Sequence, residues 1–379
     1  MKNYVVTPWE VRGAIDYTQL VKDFGVGHVS EEQRKAIAKA AGFEHFMLRR
    51  GIFFAQRDLG VWLKAAGEGK PVALYTGRGP SGHTHLGHLM PWVFTKYLQD
   101  AFNCPLYFQM TDDEKFLFKE DLTLKQTKEF ANENALDVIA LGFKQGKTHI
   151  FTDTDYAKTM YPIALEVAKR VTYSTAKATF GFTDASNIGE IFYTSMQSAT
   201  CFLPTVLARE KGEIGPKEFV PVLIPHAIDQ DPHFRVTRDV AGKAGFLKPA
   251  SIQSKFLPSL RGGDKMSASN PDSSIYTTDT PEAAEKKVMR AFTGGRATLE
   301  EQKRLGGNPD ICSVCNYLTY FFEEDDKKLA ARIEAYRKGE IMDGENKQYL
   351  AGKVKAFLKE HQRKREAAKK QVDKFVVGD

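Results

Sequence analysis

The chain has 379 residues, of which 42% are hydrophobic and 27% charged, and its formal net charge is +6. This length exceeds the size at which a single hydrophobic core usually stops growing, so we expect two or three domains. No stretch approaches the roughly 18 consecutive apolar residues of a membrane-spanning helix, and the four cysteines are too few for a disulfide framework. The beginning of the sequence lacks the apolar core and cleavage site of a signal peptide, so we predict a cytoplasmic protein without membrane contacts.

Residues 1–70 are expected to form an N-terminal extension of the main domain. A short apolar stretch at residues 4–6 and the pair Pro8 and Trp9 precede a helical pattern over Glu31–Ala41. The alternation of strands and helices described next begins only after this segment, which is why we separate the two.

Residues 71–280 carry the pattern of an α/β domain, in which short apolar runs alternate with longer helical stretches. A proline is tolerated in the first turn of a helix, so Pro91 places the start of one helix near Gly87 or His88, unless that helix is kinked. The alternation predicts a doubly wound parallel sheet, a Rossmann-like fold whose ligand site lies beyond the carboxyl ends of the strands. The predicted strands are Val72–Tyr75, Leu106–Met110, His149–Phe151 and Val220–Ile224, and a further helix is predicted over Thr123–Leu141.

Residues 281–379 are predicted to form a helical domain with a basic last helix. Between residues 353 and 374, nine Lys and Arg residues stand against three acidic ones, which accounts for the whole net charge of the chain. Such a segment can neutralise nucleic-acid phosphates, pack against the α/β domain, or simply form a solvated helix face. The predicted helices are Glu282–Phe292, Asp325–Tyr336 and Gly352–Lys374.

Cys312 and Cys315 form a C-x-x-C pair in this predicted helical domain. A zinc site needs four ligands, and no second pair of Cys or His follows at zinc-finger spacing. We therefore interpret the pair as two structural cysteines on one helix face.

The segment from Gly77 to His88 is a glycine-rich loop between a predicted strand and a predicted helix. Backbone N–H groups and the helix dipole favour phosphate at such a position, so we predict nucleotide binding here. His85 and His88 place two imidazoles at the start of the helix, and Gly87 between them lets a flat ring approach the backbone. Alone, this short motif is weak evidence because it recurs by chance.

A second element, Lys265-Met-Ser-Ala-Ser269, follows Gly262, Gly263 and Asp264. A lysine and two hydroxyl groups on a segment that glycines can hinge fit a movable phosphate clamp. The alternative is an exposed loop before a turn at Asn270 and Pro271.

Together, the two elements resemble the HIGH and KMSKS signatures of the class I aminoacyl-tRNA synthetases, in the expected order and 180 residues apart. Three further segments resemble the eukaryote-like tryptophanyl branch of that family: Tyr-Thr-Gly-Arg-Gly-Pro-Ser from Tyr75, Gln-Met-Thr-Asp-Asp-Glu-Lys from Gln109, and Ala-Ile-Asp-Gln-Asp-Pro from Ala227. The resemblance covers nearly the whole chain. It departs from the fullest KMSKS form at Ala268, a replacement that also occurs in the tryptophanyl branch.

The resemblance implies a tryptophan–tRNA ligase that forms tryptophanyl-adenylate from ATP and then esterifies the terminal adenosine of tRNA(Trp). It further implies ATP accompanied by Mg²⁺, no tightly bound metal or organic cofactor, and a homodimer. Residues 1–70 would fold over the active site, residues 71–280 would bind ATP and L-tryptophan, and residues 281–379 would bind the anticodon.

The same resemblance assigns roles to individual residues. Indole recognition falls to Tyr75 and Gln109, and ammonium recognition to Glu114, Gln197 and Gln230, since a carboxylate suits an ammonium group. The implied catalytic residues are His85, His88, Lys265, Ser267 and Ser269; the ATP-binding ones Arg78, Gly79, Ser81, Gly87, Lys265 and Met266; the tRNA-binding ones Lys364, Arg365, Lys369 and Lys370.

Three other functions stay open at this stage. The tyrosyl enzymes share the fold and a Tyr-x-x-x-Gln like that of Tyr193 to Gln197, but they place an aspartate where this chain has Thr200. A nucleotidyltransferase would explain neither Lys265 nor the helical domain. A catalytically silent tRNA-binding paralogue would keep the motifs, so that only turnover excludes it.

Overall fold

The computed structural model describes residues 5–6, 11–12, 16–263 and 271–379. The strands within these ranges are β1 Val5–Val6, β2 Val11–Arg12, β3 Gly27–His28, β4 Phe53–Arg57, β5 Ala73–Arg78, β6 Leu106–Met110, β7 Thr148–Thr152, β8 Val222–Ala227 and β9 Ala250–Ser254. The short strands β1 and β2 pair only with each other, whereas the other seven form one sheet.

The helices of the described ranges surround this sheet and continue after it. They are α1 Tyr17–Phe24, α2 Glu31–Ala41, α3 Phe46–Arg49, α4 Leu59–Gly67, α5 Leu86–Phe102, α6 Asp112–Phe118, α7 Leu124–Ala140, α8 Ala157–Ala168, α9 Tyr173–Phe180, α10 Ile188–Ala199, α11 Leu203–Glu210, α12 Asp231–Ala241, α13 Pro281–Met289, α14 Leu299–Leu305, α15 Ser313–Tyr317, α16 Asp326–Arg337 and α17 Asp343–Ala368. None of them is both long and apolar enough to cross a membrane.

The sheet has the order β3-β4-β9-β8-β5-β6-β7. The five strands from β9 to β7 are parallel to one another, and β3 and β4 are added in antiparallel register at one edge. The chain begins the parallel part in the middle with β5, runs outward to β7, and then returns to the other side of β5. This reversal between β5 and β8 is the switch point at which doubly wound folds bind ligands, so the predicted fold class is confirmed.

Two strands extend further than the sequence pattern predicts. The pattern places the start of the loop at Thr76, but β5 continues to Arg78, because Arg78 pairs with Met110 of β6. Similarly, β8 extends to Ala227, which pairs with Ser254 of β9. Cross-strand hydrogen bonds thus carry both strands into glycine- and proline-containing sequence that local propensity assigns to loops.

Helices with complete end signals occur where predicted. Ser30 caps α2 with a capping box to Gln33, and Thr123 caps α7 in the same way with Gln126. Helix α5 begins at Leu86, one residue before the predicted start, and carries Pro91 inside it. The last helix differs most, since it begins nine residues before the predicted Gly352 and ends at Ala368 rather than Lys374.

The predicted extension, residues 1–70, contributes to the central sheet, because β3 and β4 lie within it. Helix α1 packs through Leu20 against Ile228 and Phe256, next to the carboxyl end of β8. Beyond residue 281 the described chain is helical, as expected. Both cysteines of the C-x-x-C are buried, with Cys312 at the N-cap of α15 and Asn346 donating a hydrogen bond to the sulfur of Cys315.

Helix α17 packs against α7 and α13, and a buried ionic group joins it to α7. Asp137 on α7 accepts a hydrogen bond from His361 Nε2 at 2.8 Å and forms an ion pair with Arg365 Nη1 at 2.5 Å. Arg365 also pairs with Glu133 at 2.9 Å. Burial alone would raise the pKa of Asp137, but its bonds to His361 and Arg365 hold that pKa below the ordinary value.

This contact corrects one predicted tRNA-binding residue. Arg365 is only 7% exposed and is fully engaged with α7, so its side chain is not available to a phosphate. Lys364 and Lys369 beside it are about half exposed. The sequence pattern treats these basic residues as one face, and it does not separate the arginine that faces inward.

We predict that replacing Arg365 with methionine lowers the free energy of unfolding by about 3 kcal/mol, because Asp137 then stays buried with one partner fewer. Urea denaturation measures this loss, and the neighbouring exposed position, tested as Lys364→Ala, should show no change. The folded pKa of Asp137 is depressed, so its contribution is present above the unfolded value of about 3.9 and is lost as the pH falls through the folded value. The difference in unfolding free energy between Arg365→Met and the parent should therefore shrink below about pH 4. If that difference is less than about 1 kcal/mol at pH 7, the Arg365–Asp137 pair does not have the stabilising role assigned to it.

Candidate active site

A cavity of about 410 Å³ lies at the carboxyl ends of β5 and β8, at the switch point of the sheet. Its wall comes from the end of β5 and the loop after it, the first turns of α5 and α6, one face of α10, and the segment from β8 into α12. The fold therefore brings most of the predicted site residues together around one cavity. The predicted site residues that line the cavity are Tyr75, Arg78, Gly79, Ser81, His85, Gly87, His88, Glu114, Gln197 and Gln230.

The loop between β5 and α5 is held from behind by Arg78. Its guanidinium donates to the backbone carbonyls of Gly82 at 2.8 Å and His83 at 3.1 Å, and also to the side chain of Asn134 on α7. Asn134 donates in turn to the carbonyl of Gly82. Burial lowers the pKa of Arg78 to about 10, which leaves the guanidinium charged at neutral pH. Arg78 therefore lines the cavity and also holds the loop in place. This structural role comes in addition to its predicted contact with ATP.

His85 and His88 stack on one another at the start of α5, with ring centroids 3.5 Å apart. The backbone N–H of His85 donates to Nδ1 of His88 at 3.2 Å. A neutral His88 that accepts at Nδ1 carries its proton at Nε2. The second nitrogen is then a hydrogen-bond donor, as a phosphate ligand at a helix N-terminus requires.

The second predicted element, with Lys265, Met266, Ser267 and Ser269, lies outside the described residues. The chain on either side of it is described and is tied to the first element. The N–H of Leu260 donates to the carbonyl of Ser273 at 3.0 Å, so the two flanks meet. Beyond Ser273, residues 275–277 form backbone hydrogen bonds with residues 84–86, where α5 begins.

The predicted indole and ammonium residues are linked by hydrogen bonds. Tyr193 donates its hydroxyl proton to Oε1 of Gln197, whose Nε2 donates to the hydroxyl oxygen of Tyr75. Tyr75 then donates to Oε1 of Gln109 at 2.5 Å. Gln109 is fully buried and does not line the cavity, so it supports Tyr75 from behind. Burial raises the pKa values of Tyr75 and Tyr193, which keeps both hydroxyl groups protonated.

Glu114 lines the cavity from the first turn of α6. Its Oε2 accepts from the Thr111 hydroxyl at 2.6 Å, and its Oε1 pairs with Lys115 at 2.5 Å. The carboxylate approaches Gly79 so closely that a Cβ at Gly79 would lie 2.6 Å from Oε2 and 1.9 Å from Cε of Lys115. A Cβ at position 79 would therefore displace this ion pair from its place beside the loop.

Two more acidic groups lie beneath the cavity. Asp153 follows β7 and is 1% exposed, and Asp113 lies close to it in the first turn of α6. Burial raises the pKa of Asp113 to about 6, and burial together with Asp113 raises the pKa of Asp153 well above its ordinary value. Asp153 is absent from the predicted site residues. Its position could have indicated it, because it is an acidic residue just after the predicted strand His149–Phe151, and that strand is the neighbour of the strand that carries Gln109.

Thr200 is the residue that distinguishes this site from one that recognises a phenol hydroxyl group. It lies at the C-cap of α10, is fully buried, and directs its hydroxyl toward the sulfur of Met160. A site that grips a phenol hydroxyl needs a strong partner for it, and discrimination by such a partner reaches about 10⁴ to 10⁵. This position supplies a neutral hydroxyl group rather than a carboxylate.

Residues 68–359 match the family of class I tRNA synthetases (W and Y). A tryptophan–tRNA ligase of Pyrobaculum calidifontis is 50% identical over 374 residues, covering 99% of this chain and 98% of its own. Among solved structures, the tryptophanyl-tRNA synthetase of Plasmodium falciparum superposes with a TM-score of 0.87 at 39% identity, covering 95% of this chain and 97% of its own. That of Encephalitozoon cuniculi, bound to tryptophan, gives 0.86 at 36% identity with 96% and 98% covered.

The fold, with its cavity at the switch point, and the family match over residues 68–359 define a class I aminoacyl-tRNA synthetase. On the identities above, the chain belongs within this class to the tryptophan–tRNA ligase family.

We predict that Gly79→Ala raises the KM for the amino acid in ATP–pyrophosphate exchange about tenfold while leaving the melting temperature unchanged. The added Cβ meets the far ends of two flexible side chains, so the cost is displacement of Glu114 and Lys115 from the cavity wall rather than loss of the fold. Gly242→Ala is the control, because no atom lies within 4 Å of the position its methyl group would take and its φ is −62°. An unchanged KM would show that the Glu114 geometry is not needed for amino-acid binding.

Proposed function

We propose that this chain activates L-tryptophan with ATP and transfers the tryptophanyl group to the terminal adenosine of tRNA(Trp). The observation that carries the proposal is that one cavity is lined both by Tyr75, from β5, and by Glu114, from α6. Indole has a single polar group, an N–H donor, and needs an acceptor within an apolar slot. The amino acid's ammonium group needs a negative partner, which the buried carboxylate supplies.

In the first step, a carboxylate oxygen of tryptophan attacks the α-phosphorus of ATP and pyrophosphate leaves. Negative charge builds on the phosphoryl oxygens, and preorganised donors stabilise such charge. His88 Nε2 and the backbone N–H groups at the start of α5 are suited to this task. Lys265 is proposed as the clamp for pyrophosphate, supported by the backbone contacts that tie the chain after it to the start of α5.

In the second step, a ribose hydroxyl of the terminal adenosine attacks the carbonyl carbon of tryptophanyl-adenylate. The ester forms as the bond to the phosphate breaks, and AMP leaves. No covalent bond to the enzyme is required, so the chain's task is to position both reactants.

Magnesium is proposed as a companion of ATP. Among the described residues, no group of three or more His, Cys, Asp or Glu side chains is arranged to hold a metal ion. The ion would therefore be bound mainly by the phosphates, which is common for Mg²⁺ because it retains its water ligands strongly.

We propose the domain division at residues 70 and 280, with α1 as part of a cover over the site. Support comes from the contact of Leu20 with Ile228 and Phe256, since Phe256 lines the cavity and Ile228 lies between two residues that line it. The cytoplasm is the proposed location, because all four cysteines are free thiols, as expected in a reducing compartment.

A homodimer is also proposed. Tyr161 and Leu165, one turn apart on α8, are 51% and 46% exposed, and Ile188 at the start of the adjacent α10 is 87% exposed. Phe192, one turn after Ile188, contacts Tyr161 with ring centroids 6.0 Å apart. Such a contiguous apolar face on two packed helices is suited to burial against a second copy.

The proposed function is tested by measuring ATP–pyrophosphate exchange with each of the twenty amino acids. We expect exchange with tryptophan and at least about 10³-fold less with tyrosine or phenylalanine, on the order of what paired polar groups achieve. Exchange with tyrosine instead would move the chain to the tyrosyl branch. If no amino acid supports exchange while tRNA still binds, the chain is a silent paralogue.

The basic segment gives a second prediction. Replacing Lys364, Lys369 and Lys370 together with alanine should weaken tRNA(Trp) binding and flatten the dependence of log Kd on log salt by up to about 2, because fewer counterions are released. Filter binding between about 50 and 200 mM salt measures the slope. The matched control replaces Lys35, Lys64 and Lys70, which are at least as exposed but lie in the N-terminal part. Equal salt slopes for the two triple variants would mean that the basic segment is a solvated helix face that does not contact tRNA.

A further inference from the structure

The hydrogen bonds that connect Tyr193, Gln197, Tyr75 and Gln109 do not end at Gln109. Its Nε2 donates to Oδ1 of Asp153 at 2.7 Å. Each donor in the series points in the same direction, so the series has a polarity, and Asp153 is its terminal acceptor.

This polarity decides what Tyr75 offers to a ligand. An amide side chain has one donor end and one acceptor end, so Gln109, having given its Nε2 to Asp153, presents Oε1 to Tyr75. Tyr75 has a single hydroxyl proton and gives it to Gln109. Its oxygen already accepts from Gln197 Nε2, so all that it can still offer a ligand on the cavity side is a second acceptor position. If Gln109 were turned over, its NH₂ group would face Tyr75, and the phenol proton would be free to point at the ligand.

We propose that Asp153, which does not line the cavity, is a specificity-determining positioning residue that fixes this polarity and thereby makes the Tyr75 hydroxyl oxygen an acceptor for an indole N–H. The inference rests on the proposed function, because it takes Tyr75 as the indole end of the cavity.

Asp153 is well placed to hold Gln109 in one orientation. Both side chains are buried, so no water competes for the Gln109 amide, and a turned amide would set its carbonyl oxygen against the Asp153 carboxyl group. The backbone N–H of Asp153 donates to the carbonyl of Met110, the residue after Gln109, which fixes the separation of the two side chains. Burial and Asp113 raise the pKa of Asp153. A protonated Asp153 gives its proton to the hydrogen bond with Asp113 and still accepts from Gln109 through its carbonyl oxygen.

The test compares tryptophan with an isostere that has sulfur in place of the indole N–H, 3-(benzothiophen-3-yl)alanine. The ratio of their kcat/KM values in pyrophosphate exchange measures recognition of the N–H alone. Asp153→Ala should lower this ratio about tenfold or more, the effect of losing one well-oriented hydrogen bond, and should do so through tryptophan. Asp153→Asn should keep the ratio within about threefold of the parent, because its amide carbonyl still accepts from Gln109.

A purely structural role for Asp153 predicts a different result, in which Asp153→Ala lowers kcat/KM equally for both amino acids; that outcome would overturn the proposal. Asp155→Ala is the control, since this residue lies two positions later, is about half exposed, and pairs with Lys128 on the surface. Should Asp153→Ala not fold, Asp153→Ser replaces it, because the shorter hydroxyl does not reach the Gln109 amide.

Gln109→Met separates failure of this proposal from failure of the proposed site. It removes the link between Tyr75 and Asp153, so we expect the same fall in the ratio, and no further fall when Asp153→Ala is added. If Gln109→Met lowers the ratio and Asp153→Ala does not, only the role of Asp153 is overturned. If neither variant changes the ratio, the assignment of Tyr75 and Gln109 to the indole is wrong as well.

Discussion

The parallel pairing of β5 with both β6 and β8 is the constraint on which the site depends. Because β5 is the central strand and the chain leaves it in opposite directions, its carboxyl end opens into a crevice that no crossover helix covers. The register of β5 against β6 then places Tyr75 within hydrogen-bonding reach of Gln109. Side chains that are far apart in sequence come to share hydrogen bonds through this register rather than through any local motif.

Features that depend on neighbouring residues could be predicted from the sequence, and features that depend on the sheet could not. The capping boxes at Ser30 and Thr123 are local, and the helices they start were placed within a residue. The ends of β5 and β8 are decided by partner strands, so both were predicted too short. Arg365 resembles its basic neighbours, and only the packing of α17 on α7 distinguishes it as the partner of a buried carboxylate.

The same distinction applies to the site. Motif spacing and family resemblance identified residues that line the cavity, because these lie on a few contiguous segments. They did not reveal that Gln109 supports Tyr75 from behind, that Arg78 holds the loop carbonyls, or that Asp153 receives the last hydrogen bond. Each of these contacts joins residues at least four positions apart through the fold, and a side chain's orientation leaves no trace in its spacing.

Burial explains why such supporting contacts matter for recognition. In a water-excluded site, a polar group is costly if it lacks a partner, so an acceptor that is already oriented toward the ligand penalises every ligand without a donor. In the proposed site, the Tyr75 oxygen accepts from Gln197 and keeps one further acceptor position, which an indole N–H would fill and phenylalanine would leave empty. On this proposal, selectivity comes from the side chains that prevent Tyr75 from turning its own proton toward the cavity. A residue can therefore shape substrate choice without contacting the substrate, provided that every bond between the two is buried and directional.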